Sequence, residues 1–395
     1  MPRFAFLLVI LSLSLPLTAL AENPQAMKAP SSSVVQVVYV LDNSNILTYD
    51  IDPQTLYATQ VGTLATPAST SDAYVSTSPN GRFLYFSAYD TSLNQHLWIY
   101  ETDATGSPQN PPVQEISPKG FFAPIEIDPT ANFLYAVYSA PANGYNNIFT
   151  IERYVLDPAT GKISQAQPQA KYSLPNGAEG TEECWVFLVG FNAGGTRLYD
   201  EESCSYHGGG SATYYERAVN PQTGALGPDT QVIGWNNSSG GGDRVQFVNN
   251  LVFDFDMPND YQQNIDSVNI YPLQPNTGTP LVQCTGAMLQ ACGNSWGWVH
   301  PSGKYIFMDI SQDSTQIDQV DISTKTIVDT GHYIPYSFWG QFSPDGTLVY
   351  PTYNFNTTQY YIEIFGFDPA NANITQGGII DVPSNLDPFF VSQRY

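Results

Sequence analysis

Basic residues are scarce in this chain. It has 13 Lys and Arg against 36 Asp and Glu in 395 residues, which gives a formal net charge of −23 at pH 7. A surface this acidic repels the phosphates of nucleic acids and the headgroups of anionic lipids. The composition therefore argues against nucleic-acid and membrane-surface partners. It favours cations, or neutral and cationic ligands.

Histidine is also scarce, and several catalytic signatures are missing. The four histidines are well separated along the chain, so a histidine-based zinc site is not expected. The sequence has no Gly-x-Ser-x-Gly elbow, no phosphate-binding glycine loop and no dinucleotide fingerprint. Segments with helical periodicity are rare, whereas 26 Tyr, 21 Phe and 31 Gly favour strands and turns.

Only the amino terminus carries a long apolar run, over residues 4–17. The run is too short and too close to the terminus for a membrane span. Arg3 precedes it and Ala19-Leu20-Ala21 follows it, which is typical of a cleaved signal peptide, with an uncleaved anchor as the alternative. We expect a signal peptide over residues 1–21, an extension over 22–33 and one domain over 34–395. The protein is therefore expected to be exported, to a periplasm or to the extracellular space.

Four cysteines follow the predicted signal peptide, and three pairings are possible. Local pairing is expected, because Cys184 and Cys204 flank two predicted antiparallel strands and Cys284 and Cys292 close one short loop. The cysteines lack the closely spaced pairs of a metal site. No bound metal is therefore predicted from them.

One strand–turn–strand pattern recurs along the chain. The clearest copy spans residues 154–163. Tyr154 and Leu156 alternate as the inward-facing residues of a half-buried strand, and a turn follows at Asp157-Pro158 and Gly161. Close versions make seven copies in all, the others lying at residues 49–53, 100–106, 219–224, 271–278, 320–325 and 365–369.

A second signature, Ser-Pro-x-Gly-x-x-Leu-Tyr, precedes the hairpins. Its clearest copy spans residues 78–85, and further copies lie at 128–135, 192–199, 300–307 and 343–350, with a degenerate one at 248–253. The repeating unit thus contains four strands and returns about every 53 residues, a spacing that indicates a β-propeller. Stacking such sheets round an axis covers both faces of each. We predict an all-β, seven-bladed β-propeller.

The two ends of the chain predict how the ring closes. Residues 34–41 resemble the second strand of a unit with no first strand before it. Residues 388–392 resemble a first strand with no second strand after it. The carboxy-terminal strand is therefore expected to complete the first blade, which removes exposed sheet edges.

The paired signatures resemble those of the seven-bladed lactonase propellers, a family that includes 6-phosphogluconolactonase-like and Tyr-Val-Thr-Asn repeat proteins. The resemblance covers residues 34–395 and implies the propeller fold and a lactonase-like hydrolase activity. The family's His-x-His, Ala-Glu-Ile and Asn-Arg motifs do not occur here. Where the family's inner-strand glutamate would lie, this chain has Tyr74, Pro124, Trp296 and Trp339. The resemblance thus carries the fold but not the catalytic residues.

Ligands of propellers bind at the mouth of the central channel, where the residues that open the inner strands meet. Here these residues combine carboxylates, aromatic rings and one arginine. We predict ligand binding by Tyr74, Asp243, Trp296 and Trp339. The alternative is that the aromatic rings seal the channel and the acids are only solvated.

Ester or lactone hydrolysis requires a base to activate water and a donor to stabilise the oxyanion. His207, in a glycine-rich loop, is the predicted base. Glu182 or Glu183 would orient it, and Arg244 would stabilise the developing charge. The other three histidines, His96, His300 and His332, are predicted to be structural.

Two groups of carboxylates could bind calcium, Asp254 with Asp256 and Asp260, and Asp50 with Asp52. Both lack the glycine spacing of an EF-hand, so solvated charges are the preferred interpretation and no cofactor is expected.

The sequence as a whole predicts a monomer with one of two functions. One is a lactonase-like hydrolase acting on a sugar-type lactone or ester. The other is a non-catalytic propeller that presents its channel mouth to a small molecule or a protein partner.

Overall fold

The structure of the protein is a computed structural model that describes most of the residues of the predicted domain. The described residues are 35–42, 44–67, 73–90, 95–117, 121–122, 125–141, 146–175, 182–192, 194–206, 209–237, 244–256, 265–273, 279–287, 296–311, 314–335, 339–354, 360–382 and 389–394. Every regular element in these ranges is a β-strand. The predicted signal peptide and the extension over 22–33 lie outside them. Within the described ranges the structure has no helix long and apolar enough to cross a membrane.

The strands form seven antiparallel sheets, which we number as blades 1 to 7. From the inner strand outward, blade 1 contains β29 (Phe389–Arg394), β1 (Val35–Asp42), β2 (Asn45–Ile51) and β3 (Ala58–Ala65). Blade 2 contains β4 (Tyr74–Thr77), β5 (Phe83–Tyr89), β6 (Gln95–Glu101) and β7 (Gln114–Ile116). In blade 3 the inner strand is divided into the short β8 (Phe121–Phe122) and β9 (Glu126–Ile127), both paired with β10 (Phe133–Pro141), and β11 (Asn146–Val155) and β12 (Gln167–Pro175) follow.

Blades 4 to 7 each contain four consecutive strands. In the same order, blade 4 contains β13 (Glu183–Phe191), β14 (Arg197–Tyr206), β15 (Gly209–Val219) and β16 (Leu226–Asn237), and blade 5 contains β17 (Arg244–Val248), β18 (Leu251–Asp256), β19 (Ile265–Pro272) and β20 (Val282–Ala287). Blade 6 contains β21 (Trp296–Val299), β22 (Tyr305–Ser311), β23 (Ser314–Asp321) and β24 (Thr326–Pro335). Blade 7 contains β25 (Trp339–Phe342), β26 (Leu348–Asn354), β27 (Tyr360–Asp368) and β28 (Asn373–Val382).

Neighbouring blades contact each other through their first strands. Strand β29 contacts β4, β4 contacts β9, and β9 contacts β13; on the other side β17 contacts β21, β21 contacts β25, and β25 contacts β29. Blades 4 and 5 share a core that includes Tyr199 and Val245. The first strands therefore surround the axis, and the predicted seven-bladed propeller is confirmed.

The ring closes as predicted. Strand β29 pairs antiparallel with β1, from Val35 opposite Arg394 to Val40 opposite Phe389. This pairing places the last strand of the chain inside the first blade. Because β29 is the inner strand of that sheet, its removal would leave blade 1 incomplete and an edge of β1 unpaired.

The hydrophobic core lies between the blades. Each sheet packs one face against the preceding blade and one against the next, as when Tyr39 of β1 packs with Leu84 of β5 and Trp98 of β6. Leu84 is fully buried. Burying one such side chain contributes about 1.5–3 kcal/mol, so the interfaces between blades hold most of the stability of the ring.

The two recurring signatures contact each other across these interfaces. A tyrosine on the second strand of a blade donates a hydrogen bond from its hydroxyl to a backbone carbonyl in the hairpin turn of the next blade, and in two of the four cases, Tyr85 and Tyr135, this tyrosine ends a copy of the second signature. The pairs are Tyr39 with Gly106 at 2.8 Å, Tyr85 with Gly161 at 3.0 Å, Tyr135 with Gly224 at 2.6 Å and Tyr305 with Pro369 at 3.0 Å. The repeated sequence therefore encodes contacts between blades as well as turns within them.

The turn at Gly161 shows why glycine recurs there. Gly161 has a φ of 69°, a conformation that side chains disfavour. A Cβ at this position would lie 2.4 Å from Cδ1 of Phe83 in the preceding blade. Glycine thus permits both the turn and the close approach of the two blades.

A disulfide joins Cys184 and Cys204, as local pairing predicts. The two cysteines face each other across β13 and β14, so the bond links the inner strand of blade 4 to its neighbour. Cys284 of β20 is also disulfide-bonded, and its predicted partner Cys292 lies outside the described residues. Glu182 lies beside the first disulfide, but sulfur atoms bonded to each other are not the thiolates that bind metals.

Candidate functional site in the central channel

The inner strands of blades 4 to 7 surround a cavity of about 490 Å³. Its wall is formed by the second halves of β13, β17, β21 and β25. Its lining includes the aromatic residues Phe247, Trp298 and Phe342, and two glutamines, Gln246 and Gln341, supply side-chain amides. The accessible lining is about equally polar and apolar, and a cavity that combines aromatic surface with polar groups can hold a small molecule.

The two glutamine side chains bind the inner strand of the next blade. Oε1 of Gln246 accepts the backbone N–H of Val299 at 2.8 Å, and its Nε2 donates to the carbonyl of Gly297 at 3.1 Å. Oε1 of Gln341 accepts the backbone N–H of Val391 at 3.3 Å. Each amide thus forms hydrogen bonds with the backbone of the next inner strand, as a neighbouring strand would. These bonds hold the inner strands at fixed distances around the cavity.

Glu126 occupies the same register in blade 3. It lies opposite Tyr135 of the second strand, as Gln341 lies opposite Tyr350 and Gln246 opposite Phe253. It therefore lies at the level of the cavity in the ring of inner strands. Among the described residues its carboxyl forms no hydrogen bond and no ion pair, in contrast to the two glutamines.

Burial changes the acidity of Glu126. Part of its surface stays open, while the protein encloses the carboxyl and raises its pKa from 4.5 to about 7. A carboxyl with this pKa is present in both protonation states near neutrality, which is the property of a general acid or base. Glu126 does not stand out in the sequence, because the position that corresponds to the lactonase propellers' glutamate falls on Pro124. The signal that could have found it is a carboxylate between two isoleucines, Ile125 and Ile127, in an inner strand.

Several predicted site residues open the inner strands. Tyr74, Arg244, Trp296 and Trp339 are the first residues of β4, β17, β21 and β25, and Glu183 is the first residue of β13. Arg244 and Trp339 precede Gln246 and Gln341 by two residues on the same strands. That these residues form a channel mouth, and that they bind a ligand or take part in catalysis, stay predictions.

The predicted catalytic group is only partly described. His207 and Asp243 lie outside the described residues, as does the side chain of Arg244. Glu183 is exposed, and Glu182 is half-buried. Burial, with a smaller effect of the nearby charge of Glu182, raises the pKa of Glu202 on β14. Glu182 thus lies near another carboxylate, and the geometry that would make it orient His207 stays a prediction.

The predicted calcium ligands are used in other ways where the structure describes them. Asp52 accepts the backbone N–H groups of Gln54 and Thr55, at 2.8 and 3.3 Å, and these bonds lower its pKa. Asp254 is buried and accepts a hydrogen bond from Nδ2 of Asn269 at 3.4 Å. The side chain of Asp256 and all of Asp260 lie outside the described residues. Calcium binding remains a prediction.

No protein-family model matches the sequence, and no curated protein matches it. The structure, however, is similar to solved propellers. A proposed 6-phosphogluconolactonase from Bacteroides uniformis is 13% identical, with a TM-score of 0.56 and coverage of 91% of this chain and 99% of that one. A second, from Bacteroides fragilis, is 15% identical, with a TM-score of 0.56 and coverage of 90% and 98%.

A puromycin hydrolase is also similar, at 10% identity and a TM-score of 0.52, with coverage of 86% of this chain and 51% of that one. At these identities the similarity shows a shared propeller fold and transfers no activity.

Proposed function

We propose that the protein is an exported, lactonase-like hydrolase that opens a sugar-type lactone or ester in its central channel. The observation that carries the proposal is Glu126, a carboxyl without a hydrogen-bonding partner among the described residues, on the ring of inner strands at the level of the cavity. The fold shared with two proposed 6-phosphogluconolactonases supports the same reaction class.

The reaction needs one group that both accepts and returns a proton. As carboxylate, Glu126 accepts a proton from water while the water oxygen bonds to the lactone carbonyl carbon. As carboxylic acid, it returns that proton to the ring oxygen when the ring C–O bond breaks. Its pKa of about 7 suits both steps at neutral pH. Arg244, which opens the inner strand β17, is the proposed cation for the oxyanion.

The composition of the channel and of the whole chain favours a neutral substrate. The partly exposed rings of Phe247 and Phe342, beside the largely buried Trp298, offer apolar surface to a sugar ring. The net charge of −23 repels phosphorylated lactones. The proposed substrate is therefore an uncharged aldonolactone or a related ester, and not a phosphate-bearing one.

The test is lactone hydrolysis followed by pH-stat titration, with a panel of neutral lactones and simple esters. Glu126→Gln is expected to lower kcat/KM at least about 100-fold, because a lost general base costs 10²–10⁴-fold. Glu363→Gln is the matched control. Glu363 is also half-buried with a pKa raised by burial, but it lies on β27, the third strand of blade 7. Equal activity of wild type and Glu126→Gln would exclude Glu126 as the base.

One observation favours the alternative, a propeller that binds a ligand without converting it. The amides of Gln246 and Gln341 are already engaged with neighbouring strands, which leaves few free polar groups in the described part of the cavity. If no lactone or ester is converted, while calorimetry detects a sugar or lactone that binds wild type and not Trp298→Ala, the binding function replaces the hydrolytic one.

A further inference from the structure

Three side chains with hydrolytic chemistry meet at one end of blade 2. His96 lies on β6, Asp90 follows β5, and Ser117 follows β7. The Oγ of Ser117 is 2.8 Å from Nδ1 of His96, and Oδ2 of Asp90 is 3.1 Å from Nε2 of the same ring. These residues come from three neighbouring strands, on the face where the connection to blade 3 begins.

The contacts order the three groups as a nucleophile, a base and an orienting acid. When Nε2–H donates to Asp90, the lone pair of Nδ1 faces Ser117 and can accept its hydroxyl proton. A Ser-His-Asp triad is recognised by this geometry and not by the order of the residues in the chain. In the usual triad Nε2 faces the serine and Nδ1 faces the aspartate. Here Nδ1 faces Ser117 and Nε2 faces Asp90, and the imidazole can still take the serine proton on one nitrogen while the other is held by the carboxylate.

The surroundings fix the imidazole and leave the serine accessible. The ring of His96 stacks on Trp98, with centroids 4.9 Å apart and planes 10° apart. The His96 side chain is 14% exposed, so most of the ring is held by protein. Ser117 is exposed, so a substrate can reach its hydroxyl.

Glu115 is the other charged group at this ring, with Oε1 3.0 Å from Nδ1. A carboxylate has no proton to donate, so it binds Nδ1 only after that nitrogen has been protonated. In the structure, Oγ of Ser117 and Oε1 of Glu115 both lie within hydrogen-bonding distance of Nδ1, so this nitrogen can accept from Ser117 when neutral and donate to Glu115 when protonated. Glu115, about half exposed, is thus placed to stabilise the imidazolium that forms when Ser117 loses its proton.

We propose that Ser117, His96 and Asp90 form a second hydrolytic site, which cleaves accessible esters whose acyl group is neutral or positively charged. The Oγ–H proton passes to Nδ1 as Oγ bonds to the ester carbonyl carbon. The leaving alcohol oxygen takes that proton as the C–O bond breaks, which gives an acyl-serine. Water then repeats the two steps, releasing the acid and restoring the serine. The carboxylates of Asp90 and Glu115 disfavour anionic substrates.

The same chain contains a natural comparison. Oγ of Ser302 is 2.7 Å from Nδ1 of His300. Nε2 of His300, however, bonds the carbonyl of Gly346 at 2.9 Å and not a carboxylate, and the backbone N–H of Ser302 also donates to Nδ1 at 3.1 Å. His300 is buried, and burial lowers its pKa. Ser302 therefore has a serine–histidine contact without the orienting acid.

The test uses the whole protein, a fluorophosphonate probe and peptide mapping by mass spectrometry. Ser117 is expected to be labelled at least about 10-fold faster than Ser302, and His96→Asn is expected to slow labelling of Ser117 at least about 100-fold.

The proposal is overturned if Ser117 is not labelled, or if His96→Asn is labelled at the wild-type rate. Hydrolysis of p-nitrophenyl acetate provides a second measurement, made in the Glu126→Gln variant so that the channel site does not contribute; there Ser117→Ala should abolish the hydrolysis while Ser323→Ala should not. Ser323 is an exposed hairpin serine whose Oγ donates to Asp321, with no histidine involved. Labelling is read at one serine, so its outcome does not depend on whether the channel converts lactones.

Discussion

Replacing Glu126 with glutamine is expected to stabilise the protein at alkaline pH and to leave its stability unchanged at acidic pH. The folded protein holds the carboxyl proton up to about pH 7, whereas the unfolded chain releases it near the ordinary value of 4.5. The stability contributed by the protonated form is complete below pH 4.5 and is lost as the pH rises through 7. Above pH 7 the folded state must hold a desolvated carboxylate.

The magnitude follows from the difference between the two pKa values. Each unit corresponds to 1.36 kcal/mol, so the rise from 4.5 to about 7 amounts to roughly 3 kcal/mol. Glu126 keeps some contact with solvent, which reduces the penalty. We therefore expect Glu126→Gln to gain about 2 kcal/mol at pH 8 relative to wild type, and nothing at pH 4.

The assay is urea unfolding of wild type and variant at pH 4, 6 and 8, with midpoints compared at each pH. Comparison between proteins at one pH removes the pH effects of the other acidic residues. Glu101→Gln, at an exposed residue paired with Arg82, is the control and should change the stability by no more than about 1 kcal/mol at any of the three pH values. A difference between Glu126→Gln and wild type that does not change with pH would refute the burial of this carboxyl. The same substitution should remove activity, so stability and function would change in opposite directions.

Three further changes test the ring and its contacts. Deleting residues 387–395 removes β29, and calorimetry should show a large fall in the melting temperature, because blade 1 loses its inner strand. Tyr135→Phe should cost about 0.5–1.5 kcal/mol in urea unfolding, since it removes only the hydrogen bond to Gly224. Replacing Cys184 and Cys204 together by serine opens a loop with a sequence separation of 20 residues, and should cost about 2–4 kcal/mol by the same method.

The fold could be predicted from the sequence because its repeats have local causes. The turns need Asp-Pro and glycine at fixed offsets, and these are visible as recurring letters. The contacts between signatures, such as that of Tyr85 with Gly161, hold for several blades and therefore also leave a repeated pattern. Closure followed from an unpaired strand at each end, and the pairing of β1 with β29 confirms it.

The candidate sites could not be predicted in the same way, because each depends on a single blade. Glu126 differs from its counterparts Gln246 and Gln341 by one side-chain atom, and the change in its acidity comes from burial, which no spacing reveals. His96 was predicted to be structural from its place near a loop. Its partners Asp90 and Glu115 lie on two other segments, 6 and 19 residues away, and only the pairing of β5, β6 and β7 brings them together.

The two proposed sites meet where blade 2 passes into blade 3. Ser117 ends the described part of β7, and the chain then enters β8 and β9, the split inner strand that carries Glu126. In blades 5 and 7, which keep an unbroken inner strand, Gln246 and Gln341 use this register to bind the next blade. Blade 3 has a short, divided strand there and a carboxyl without such a bond. The position that blades 5 and 7 use to bind the next blade is therefore the one at which blade 3 keeps an unbonded carboxyl for chemistry. We expect that ionising Glu126 costs free energy for this reason.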